Sequence, residues 1–330
     1  MKPIAVLISD IHFSLPTLKL ANAATLQAVE KANDLEIPVI IPGDIHDTKA
    51  NLRGECVNAM LSSLSNCVFT PAVLVGNHDK INEKSEDHSL NFLREAAIIV
   101  DSPQELHEGT YAIPYQHDSD VLRAYLKTIT KGSTLIMHQG LQGSHMGDYI
   151  QDKSAINPED VAGFRVISGH YHARQTINLP DGGKWDYVGN PYTVSFGEAN
   201  DPPKGFQILY DDGSLEFVPT NLRKHIIVDF NANDFDPNEN GTADAGPGDL
   251  VWVKIKGTHE ELNKITRAKV KEYFNLETFK LDLIPTGGIT EKPTKQLGST
   301  ELMDSLIDSL TETSDERKLR LKELWRHLGS

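Results

Sequence analysis

Residues 72–79 read AVLVGNHD, a short apolar run that ends directly in glycine, asparagine, histidine and aspartate. Apolar runs of this length suit a strand that is buried on both faces of a sheet. Four further apolar runs end in polar side chains in the same way: residues 4–9 in Asp10-Ile11-His12, 39–41 in Gly43-Asp44, 134–137 in His138, and 166–168 in Gly169-His170-Tyr171-His172. Helical patterning between the runs, as at residues 17–36, completes the alternation that is typical of an α/β core.

The polar residues at these strand ends are expected to share one location, because residues beyond the carboxyl ends of strands converge at one edge of an open α/β sheet. Carboxylate and amide oxygens with neutral imidazole nitrogens form a ligand set for manganese, iron or zinc. Two-metal hydrolases hold their ions about 3.5–4 Å apart, and that spacing requires a shared carboxylate. Asp44 stands alone after its strand and is predicted to bridge the ions. One strand-end histidine is usually structural, but the segments taken together predict a dinuclear metal site.

The histidines outside this pattern are interpreted as structural residues. Among them are His46, His107, His117, His145, His225 and His259. His46 and Asp47 follow Asp44 so closely that they are expected to lie beside the ligands and support them.

Composition and charge exclude several classes of protein. The 330 residues include 47 acidic and 32 basic side chains, and the formal charge of −15 argues against nucleic-acid binding by bulk positive charge alone. Cys56 and Cys67 provide neither a disulfide framework nor a zinc knuckle, so a reducing compartment fits best. The first apolar stretch meets Asp10 too early for a signal peptide or a membrane span. We therefore expect a cytoplasmic protein with no membrane contact.

Changes in sequence pattern predict four parts of the chain. These are a main domain over 1–221, a small α+β module over 222–286, a linker over 287–298 and a helical tail over 299–330. Within the main domain, residues 184–218 alternate strands and turns and predict a second, more antiparallel sheet. The small module has the order strand, strand, helix, strand, with its helix over 259–274. Residues 231–248 carry few apolar side chains and predict a long loop.

These motifs resemble those of the calcineurin-like metallophosphoesterase superfamily. The superfamily motifs D-x-H, G-D-x-x-D, G-N-H-D/E, H and G-H-x-H are all present between residues 10 and 172. The resemblance implies a four-layer α-β-β-α metallophosphoesterase sandwich, with residues 222–286 as a capping domain. The motifs are specific for the superfamily and leave the substrate open.

Within the superfamily, the chain is similar to the SbcD-type nucleases, the catalytic subunits of SbcC/SbcD (Mre/Rad) DNA repair complexes. Met137-His138-Gln139, followed by the segment GSHMG at 143–147, carries part of the similarity. The segment from Tyr187 to Glu198 is similar to that family's Y-x-G-S-P…S-F-x-E strand, although Asn190 replaces the serine of many relatives. A capping module and a helical tail follow in the family's order, and the length suggests a phage or short bacterial version.

The resemblance implies a role for each strand-end residue. One ion would be bound by Asp10, His12, Asp44 and His172, and the other by Asp44, Asn77, His138 and His170. A hydroxide held by both ions would attack the phosphorus in line, with manganese expected to support activity best. His78, oriented by Asp79, would be the catalytic residue that stabilises the pentacoordinate state or protonates the leaving oxygen.

The implied function is a manganese-dependent DNA nuclease, both a double-strand exonuclease and a single-strand endonuclease. It would be the nuclease subunit of an SbcC/SbcD-type ATP-dependent complex for double-strand-break repair and recombination, and a homodimer. One alternative is a phosphatase of small phosphoesters or phosphoproteins, against which the capping module and the tail argue. The other is an inactive scaffold on the same fold, against which the complete ligand set argues.

The helical tail over 299–330 is predicted to bind an SbcC-type coiled-coil ATPase. Two apolar stripes at helical spacing support this, one at Leu302, Met303, Leu306, Ile307 and Leu310, and one at Leu319, Leu321, Leu324, Trp325 and Leu328. Docking of these helices on their own domain is the alternative. The chain has no G-x-x-x-x-G-K-[ST] loop, so any ATP dependence would come from the partner.

A basic run in the capping helix is the predicted local DNA contact. It consists of Lys264, Arg267, Lys269 and Lys271. A solvated helix face is the ordinary interpretation of such a run, and contact with DNA phosphates is the functional one.

Overall fold

The computed structural model describes residues 1–82, 84–146, 150–151, 156–236, 241, 243–286, 307 and 317–322. Its strands are β1 (Pro3–Leu7), β2 (Val39–Ile41), β3 (Ala72–Leu74), β4 (Ile98–Val100), β5 (Gln104–His107), β6 (Thr110–Ile113), β7 (Thr134–His138), β8 (His145–Met146), β9 (Ile150–Gln151), β10 (Arg165–Gly169), β11 (Gln175–Asn178), β12 (Lys184–Tyr187), β13 (Gly205–Tyr210), β14 (Leu215–Pro219), β15 (His225–Asn231), β16 (Leu250–Gly257) and β17 (Lys280–Pro285). Its α-helices are α1 (Leu18–Asp34), α2 (Gly54–Leu64), α3 (Ser119–Leu126), α4 (His259–Leu262) and α5 (Arg267–Tyr273).

The first sheet has the strand order β14-β13-β1-β2-β3-β4. Strands β1 to β4 are parallel, and α1 and α2 provide the crossovers that successive parallel strands require. Strand β13 pairs with β1 in the antiparallel sense, and β14 forms the edge.

The second sheet has the order β11-β12-β10-β7-β6-β5. Its four central strands are parallel and its two edge strands are antiparallel to their neighbours. The runs that end in the predicted ligands therefore belong to two sheets, with β1, β2 and β3 in the first and β7 and β10 in the second.

Residues 184–218 do not form a sheet of their own, contrary to the expectation from their pattern. Strand β12 joins the second sheet beside β10, whereas β13 and β14 extend the first sheet. The reason lies in β13, whose first five residues are all buried. A strand that is apolar on both faces is more stable inside a covered sheet than in a half-solvated one.

The two sheets pack face to face between two outer layers, which gives the four-layer sandwich. Leu7 of β1 and Leu74 of β3 share one buried cluster with Ile136 of β7 and Ile167 of β10. Helices α1 and α2 cover the outer face of the first sheet. Helix α3 covers the outer face of the second. Because the core is closed on both sides, the strand ends are held rigidly at the rim.

The C-terminal module is a three-stranded parallel sheet, β15-β16-β17, with its own apolar core against α4 and α5. The predicted helix over 259–274 is interrupted. Helix α4 begins with a capping box of Thr258 and Glu261, and Thr266 caps α5 by accepting a hydrogen bond from the Lys269 backbone N–H. A threonine in the middle of the segment favours a second helix start, because its side chain competes for backbone donors.

The linker over 287–298 and most of the predicted apolar stripes of the tail lie outside the described residues. Ile307 and residues 317–322 are helical. Ile307 is buried, whereas Leu319 and Leu321 are 63% and 41% exposed. Among the described residues, no helix combines the length and the apolar character needed to cross a membrane.

Candidate metal centre

Strands of both sheets end at one rim of the sandwich, where the predicted ligands meet. Asp10 and His12 follow β1, Asp44 follows β2, Asn77 and His78 follow β3, His138 ends β7, and His170 and His172 follow β10. Asp10 ties the two sheets together, because its carboxylate accepts hydrogen bonds of 3.0 and 3.2 Å from the His170 backbone N–H. The site thus spans the interface between the sheets.

Two groups of side chains converge there, and the ligand atoms within each group lie within 4.8 Å of one another. The first group is Asp10, His12 and His172, and the second is Asp44, His138 and His170. Asn77 completes the second group. Its Oδ1 lies 2.9 Å from Nε2 of His138 and 3.0 Å from Nδ1 of His170.

The Asp44 carboxylate lies between the two groups. Its Oδ2 is 3.2 Å from Nε2 of His138 and 3.9 Å from Nε2 of His12. Asp44 is only 2% exposed. This is the position that a bridging carboxylate must occupy between two ions.

The donor set fits two divalent metal ions. In the first group, Nε2 of His12 and Nε2 of His172 lie only 3.1 Å apart, so two imidazole nitrogens converge on one point. Carboxylate, amide and imidazole donors without a thiolate suit manganese, iron or zinc. The residues present therefore provide two adjacent sites that share Asp44.

The backbone of several predicted ligands is held in an unusual conformation. Asp10, His12, Asp44 and His170 have φ angles of 52°, 50°, 50° and 92°. Residues other than glycine rarely adopt such angles, and each costs of order 1–3 kcal/mol unless the surroundings enforce it. The strain is concentrated at the positions that aim side chains into the site.

Glycines allow the strand ends to approach one another. A Cβ atom on Gly76 would overlap the Asp44 carboxylate, and one on Gly169 would overlap the Ser9 hydroxyl. Gly43 has a φ of 93°, and a Cβ there would collide with the His138 ring. The glycines of the G-D, G-N-H-D and G-H-x-H motifs are thus required by close packing around the ligands.

Asp79 does not orient His78, contrary to the expectation from the resemblance. Its buried carboxylate accepts hydrogen bonds from three backbone N–H groups, those of Asp44 at 2.9 Å, His46 at 3.0 Å and Gly76 at 2.9 Å. Burial and the nearby Asp44 carboxylate raise the pKa of Asp79 to about 7. Asp79 therefore joins the loops that carry Asp44 and Asn77.

The His78 ring is instead held by the Asp47 backbone. Its Nδ1 lies 2.7 Å from the Asp47 carbonyl oxygen, which favours the tautomer with a proton on Nδ1. The His78 backbone N–H donates to Asp44 Oδ1 at 2.8 Å. The Asp47 carboxylate lies 3.4 Å from Nδ1 of His12, and His12, Asp47 and His78 form a further group of candidate ligands. Asp47 thus supports both His12 and His78.

Sequence reasoning missed the residue that holds His172. The Glu198 carboxylate lies 2.7 Å from Nδ1 of His172 and also accepts the Val194 backbone N–H at 2.9 Å. Burial opposes ionisation of Glu198, but the His172 hydrogen bond and the charge of Lys204 outweigh it and lower its pKa to about 2. A carboxylate behind a ligating imidazole fixes its tautomer and leaves Nε2 free for an ion. The S-F-x-E motif contained Glu198, but nothing in its spacing linked it to His172.

Two contacts of the Asn190 side chain explain why asparagine stands at this position. Its side-chain amide donates to Glu198 at 3.2 Å, and its oxygen accepts a hydrogen bond from Lys204. A serine is too short to span both partners. Asn190 thus stabilises the carboxylate behind His172.

Buried charges compensate one another within the site. Burial opposes protonation of His12, but the Asp47 carboxylate beside its Nδ1 and the charges of Asp44 and Asp10 outweigh it and raise its pKa to about 9. Burial likewise opposes protonation of His138, yet Asp44 raises the pKa of that ring to about 9. Burial would raise the pKa of Asp44, but His138 and His12 hold it far below its usual range. The carboxylates thus demand positive charge, which protons or metal ions can supply.

A cleft of about 370 Å³ opens above these groups. Its walls include His12, Asp44, Asn77, His78, His170 and His172, whereas Asp10 and His138 lie buried beneath. His145, interpreted from sequence as structural, also lines the cleft. His46 is buried, His225 contacts Thr193 at 2.9 Å, and His107, His117 and His259 are exposed.

No family model and no curated protein matches the chain, so neither comparison assigns it to a family. Among solved structures, it is similar to the crystal structure of a dimetal phosphatase from Danio rerio, with 12% identity and a TM-score of 0.41. That match covers 63% of this chain and 93% of the other.

Proposed function

We propose that the chain is a manganese-dependent nuclease that hydrolyses phosphodiesters of DNA. The observation that carries the proposal is the place of Asp44 between the two groups of ligands, 3.2 Å from His138 and 3.9 Å from His12. Two ions held by these residues would activate a water molecule for attack and neutralise charge on the phosphoryl oxygens. Phosphoesters are one substrate class to which that chemistry applies.

The residues of the chain divide the remaining work. Asp10, His12 and His172 are proposed to bind one ion, Asn77, His138 and His170 the other, and Asp44 both. His78 lines the open cleft, and its Nδ1 is engaged by the Asp47 carbonyl. Its Nε2 is therefore the atom proposed to contact the phosphoryl group or the leaving oxygen.

The surroundings of the cleft support a long substrate. The turn over Phe196–Glu198 borders the cleft, and its Phe196 ring packs 4.8 Å from the His225 ring and 5.4 Å from the Trp252 ring of the C-terminal module. A cavity of about 700 Å³ along this boundary shares Glu198 and Asp201 with the cleft. A polymeric substrate could contact both the cleft and this neighbouring cavity, whereas a small phosphoester needs only the cleft.

The basic run of the capping module gives less support than its sequence suggests. Lys264 pairs with Glu260 at 3.2 Å, and Lys269 donates to the Lys264 carbonyl at 3.0 Å. Arg267 donates to the Phe279 carbonyl and stacks on the Phe279 ring at 4.4 Å. Three of these four basic side chains are thus engaged within the module, so the DNA contact is proposed for the boundary beside Phe196.

An SbcC-type ATPase is the proposed partner, with the tail as its binding site. Leu319 and Leu321 are the residues of the second apolar stripe that the structure describes, and both are exposed. Exposed leucines on a helix suit a groove in another protein.

Deleting residues 299–330 is expected to remove ATPase binding and to spare manganese-dependent cleavage of single-stranded DNA. An unfolded product would instead support docking of the tail on the chain's own domain.

The test of the proposed function is a cleavage assay with end-labelled duplex DNA and with p-nitrophenyl phosphate. With manganese, the wild-type protein is expected to shorten the duplex, and EDTA to stop the reaction. His78→Gln is expected to lower the rate by about 10²–10⁴-fold while two ions remain bound, because the ring is not among the proposed ligands of either ion. Hydrolysis of p-nitrophenyl phosphate without DNA cleavage would overturn the nuclease assignment and favour a phosphatase.

A further inference from the structure

A smaller cavity of about 300 Å³ also adjoins the cleft. His145, Ala173 and Asp201 line both this cavity and the cleft, so the smaller cavity is continuous with the cleft. Arg174 and Gln175 line the smaller cavity and not the cleft. Residues 173–175 directly follow His172, so this cavity borders the side of the site that holds the first group of ligands.

Arg174 is the basic side chain with unused hydrogen-bonding capacity in this cavity. Its guanidinium stacks on the Phe217 ring at 4.1 Å. Its Nε is buried and has no hydrogen-bond partner. A guanidinium carries five N–H donors, and Arg174 makes no hydrogen bond or ion pair with the residues that the structure describes.

Lys204, a second cation near the cleft among the described residues, is not available to a ligand. Its ammonium donates to the His172 carbonyl at 3.0 Å, to the Asn190 amide oxygen, and to the Asp201 carboxylate at 2.7 Å. An ammonium has three donors, so these contacts use all of them. The same pair neutralises Asp201, which would otherwise repel an anion from the cavity.

We infer that Arg174 and His145 form a phosphate subsite that receives the phosphodiester next to the one being cleaved. Guanidinium groups bind phosphate through paired N–H donors, and the exposed imidazole of His145 in β8 adds a further donor. The Cα atoms of His172 and Arg174 are at most about 7 Å apart, and the two spaces share lining residues, so the subsite adjoins the metal centre. The inference rests on the proposed nuclease function and names the feature that selects a polynucleotide.

A substrate with a single phosphoryl group has no atom for this subsite. A strand with two adjacent phosphodiesters can occupy the metal centre and the subsite together, and the second contact orients the first. Arg174 thus acts as a specificity-determining residue, separate from the ligands that perform the chemistry.

The experiment compares nitrophenyl esters of thymidine that carry one phosphodiester with analogues that carry a second. Both the 5′ and the 3′ nitrophenyl series are needed, because each extends the strand in one direction only. The readout is the ratio of kcat/KM for the longer and the shorter substrate, measured with manganese. In wild type this ratio is expected to reach about tenfold in one series, the value of a charge-assisted hydrogen bond.

Arg174→Gln is expected to bring the ratio close to one, Arg174→Lys to retain part of it, and His145→Gln to lower it. Lys127→Gln, which removes an exposed positive charge at the end of α3, is the matched control and is expected to keep the wild-type ratio. Bound manganese and unfolding curves show whether each variant is folded. If Arg174→Gln does not fold, Arg174→Lys and His145→Gln decide.

The outcomes separate this inference from the proposed function. A wild-type ratio near one, or an unchanged ratio in Arg174→Gln or His145→Gln, overturns the subsite while hydrolysis of the shorter diester leaves the nuclease proposal standing. Failure of wild type to hydrolyse even the shorter diester overturns the proposed function, and with it the subsite.

Discussion

The carboxylate of Asp79 accepts the backbone N–H of Asp44 at 2.9 Å, although the two residues are 35 positions apart in the chain. The same oxygen accepts the Gly76 N–H, and the other oxygen accepts the His46 N–H. The last residue of the G-N-H-D motif therefore fixes the backbone of the proposed bridging residue. Asp79 therefore holds the loop that carries Asp44 against the loop that carries Asn77.

Replacing Asp79 is expected to destabilise the protein in a graded manner. Asp79→Ala leaves three buried N–H donors without an acceptor, at about 1–3 kcal/mol each. Asp79→Asn keeps one oxygen, which can still accept from Asp44 and Gly76, and therefore loses only the contact with His46. Urea unfolding of the metal-free proteins is expected to place Asp79→Asn between wild type and Asp79→Ala. Equal losses in the two variants would mean that the charge matters rather than the acceptor.

Close packing at Gly76 makes a second prediction. A Cβ there would overlap the Asp44 carboxylate and backbone, so Gly76→Ala is expected to cost about 1–3 kcal/mol of stability and to weaken metal binding. Gly54→Ala is the matched control, because nothing lies within 4 Å of its Cβ position at the start of α2. That variant is expected to be as stable as wild type or up to about 1 kcal/mol more stable. Unfolding curves and manganese titrations of both variants test the pair, and equal effects would contradict the packing argument.

The strands and the polar residues at their ends could be predicted from sequence because both signals are local. The run before Gly76 is apolar, and the residues after it are polar, whichever sheet the strand joins. The division of the strands between two sheets, by contrast, depends on packing across the interface, where Leu74 and Ile167 lie in the same buried cluster. No periodicity within a single strand records such packing, so the pattern of residues 184–218 predicts a separate sheet, whereas the structure divides these strands between the two sheets.

Residues that hold the candidate ligands in place are harder to predict from sequence than the strand-end residues themselves. Glu198 contacts His172, which lies 26 positions away in the chain. Asp79 accepts hydrogen bonds from backbone N–H groups, and no sequence motif marks such partners. Arg174 is adjacent to the ligands in sequence, but its unused donors are visible only once its surroundings are known. The interruption between α4 and α5 was readable in principle, because Thr266 is a strong helix-start residue.

Glu198 is expected to tune metal affinity at the first group of ligands. Glu198→Gln removes the charge that holds the proton on Nδ1 of His172, and loss of such a partner costs about 10–100-fold in affinity. Asp201→Asn is a suitable control, since Asp201 pairs with the same Lys204 but makes no contact with the His172 ring. Calorimetric titration with manganese, without substrate, is the measurement. Equal affinities of Glu198→Gln and wild type would show that Glu198 only packs against the ring.

Metal binding is expected to release protons well above the ordinary pKa of histidine. In the metal-free protein the neighbouring carboxylates raise the pKa values of His12 and His138 to about 9, against burial. Both rings must be neutral to bind ions, so affinity is expected to rise with pH up to about 9, by about tenfold per unit for each ion. Calorimetry at pH 8 in buffers of different ionisation enthalpy is expected to show close to one proton released per ion. Histidines with an unperturbed pKa near 6.5 would release almost none at that pH.

The same two rings predict different pH trends for the stability of the metal-free and metal-loaded protein. A histidine whose pKa is raised by folding stabilises the folded state fully below pH 6.5, and this contribution disappears as the pH rises through about 9. Metal-free protein should therefore lose stability between pH 6.5 and 9. Metal-loaded protein should keep a nearly constant stability above about pH 7.5, because the tighter binding of the ions offsets the loss of the histidine contribution. Thermal unfolding with and without saturating manganese at pH 6.5, 7.5 and 8.5 tests both trends, and an equal loss of stability with and without manganese would show that His12 and His138 do not compete with the ions.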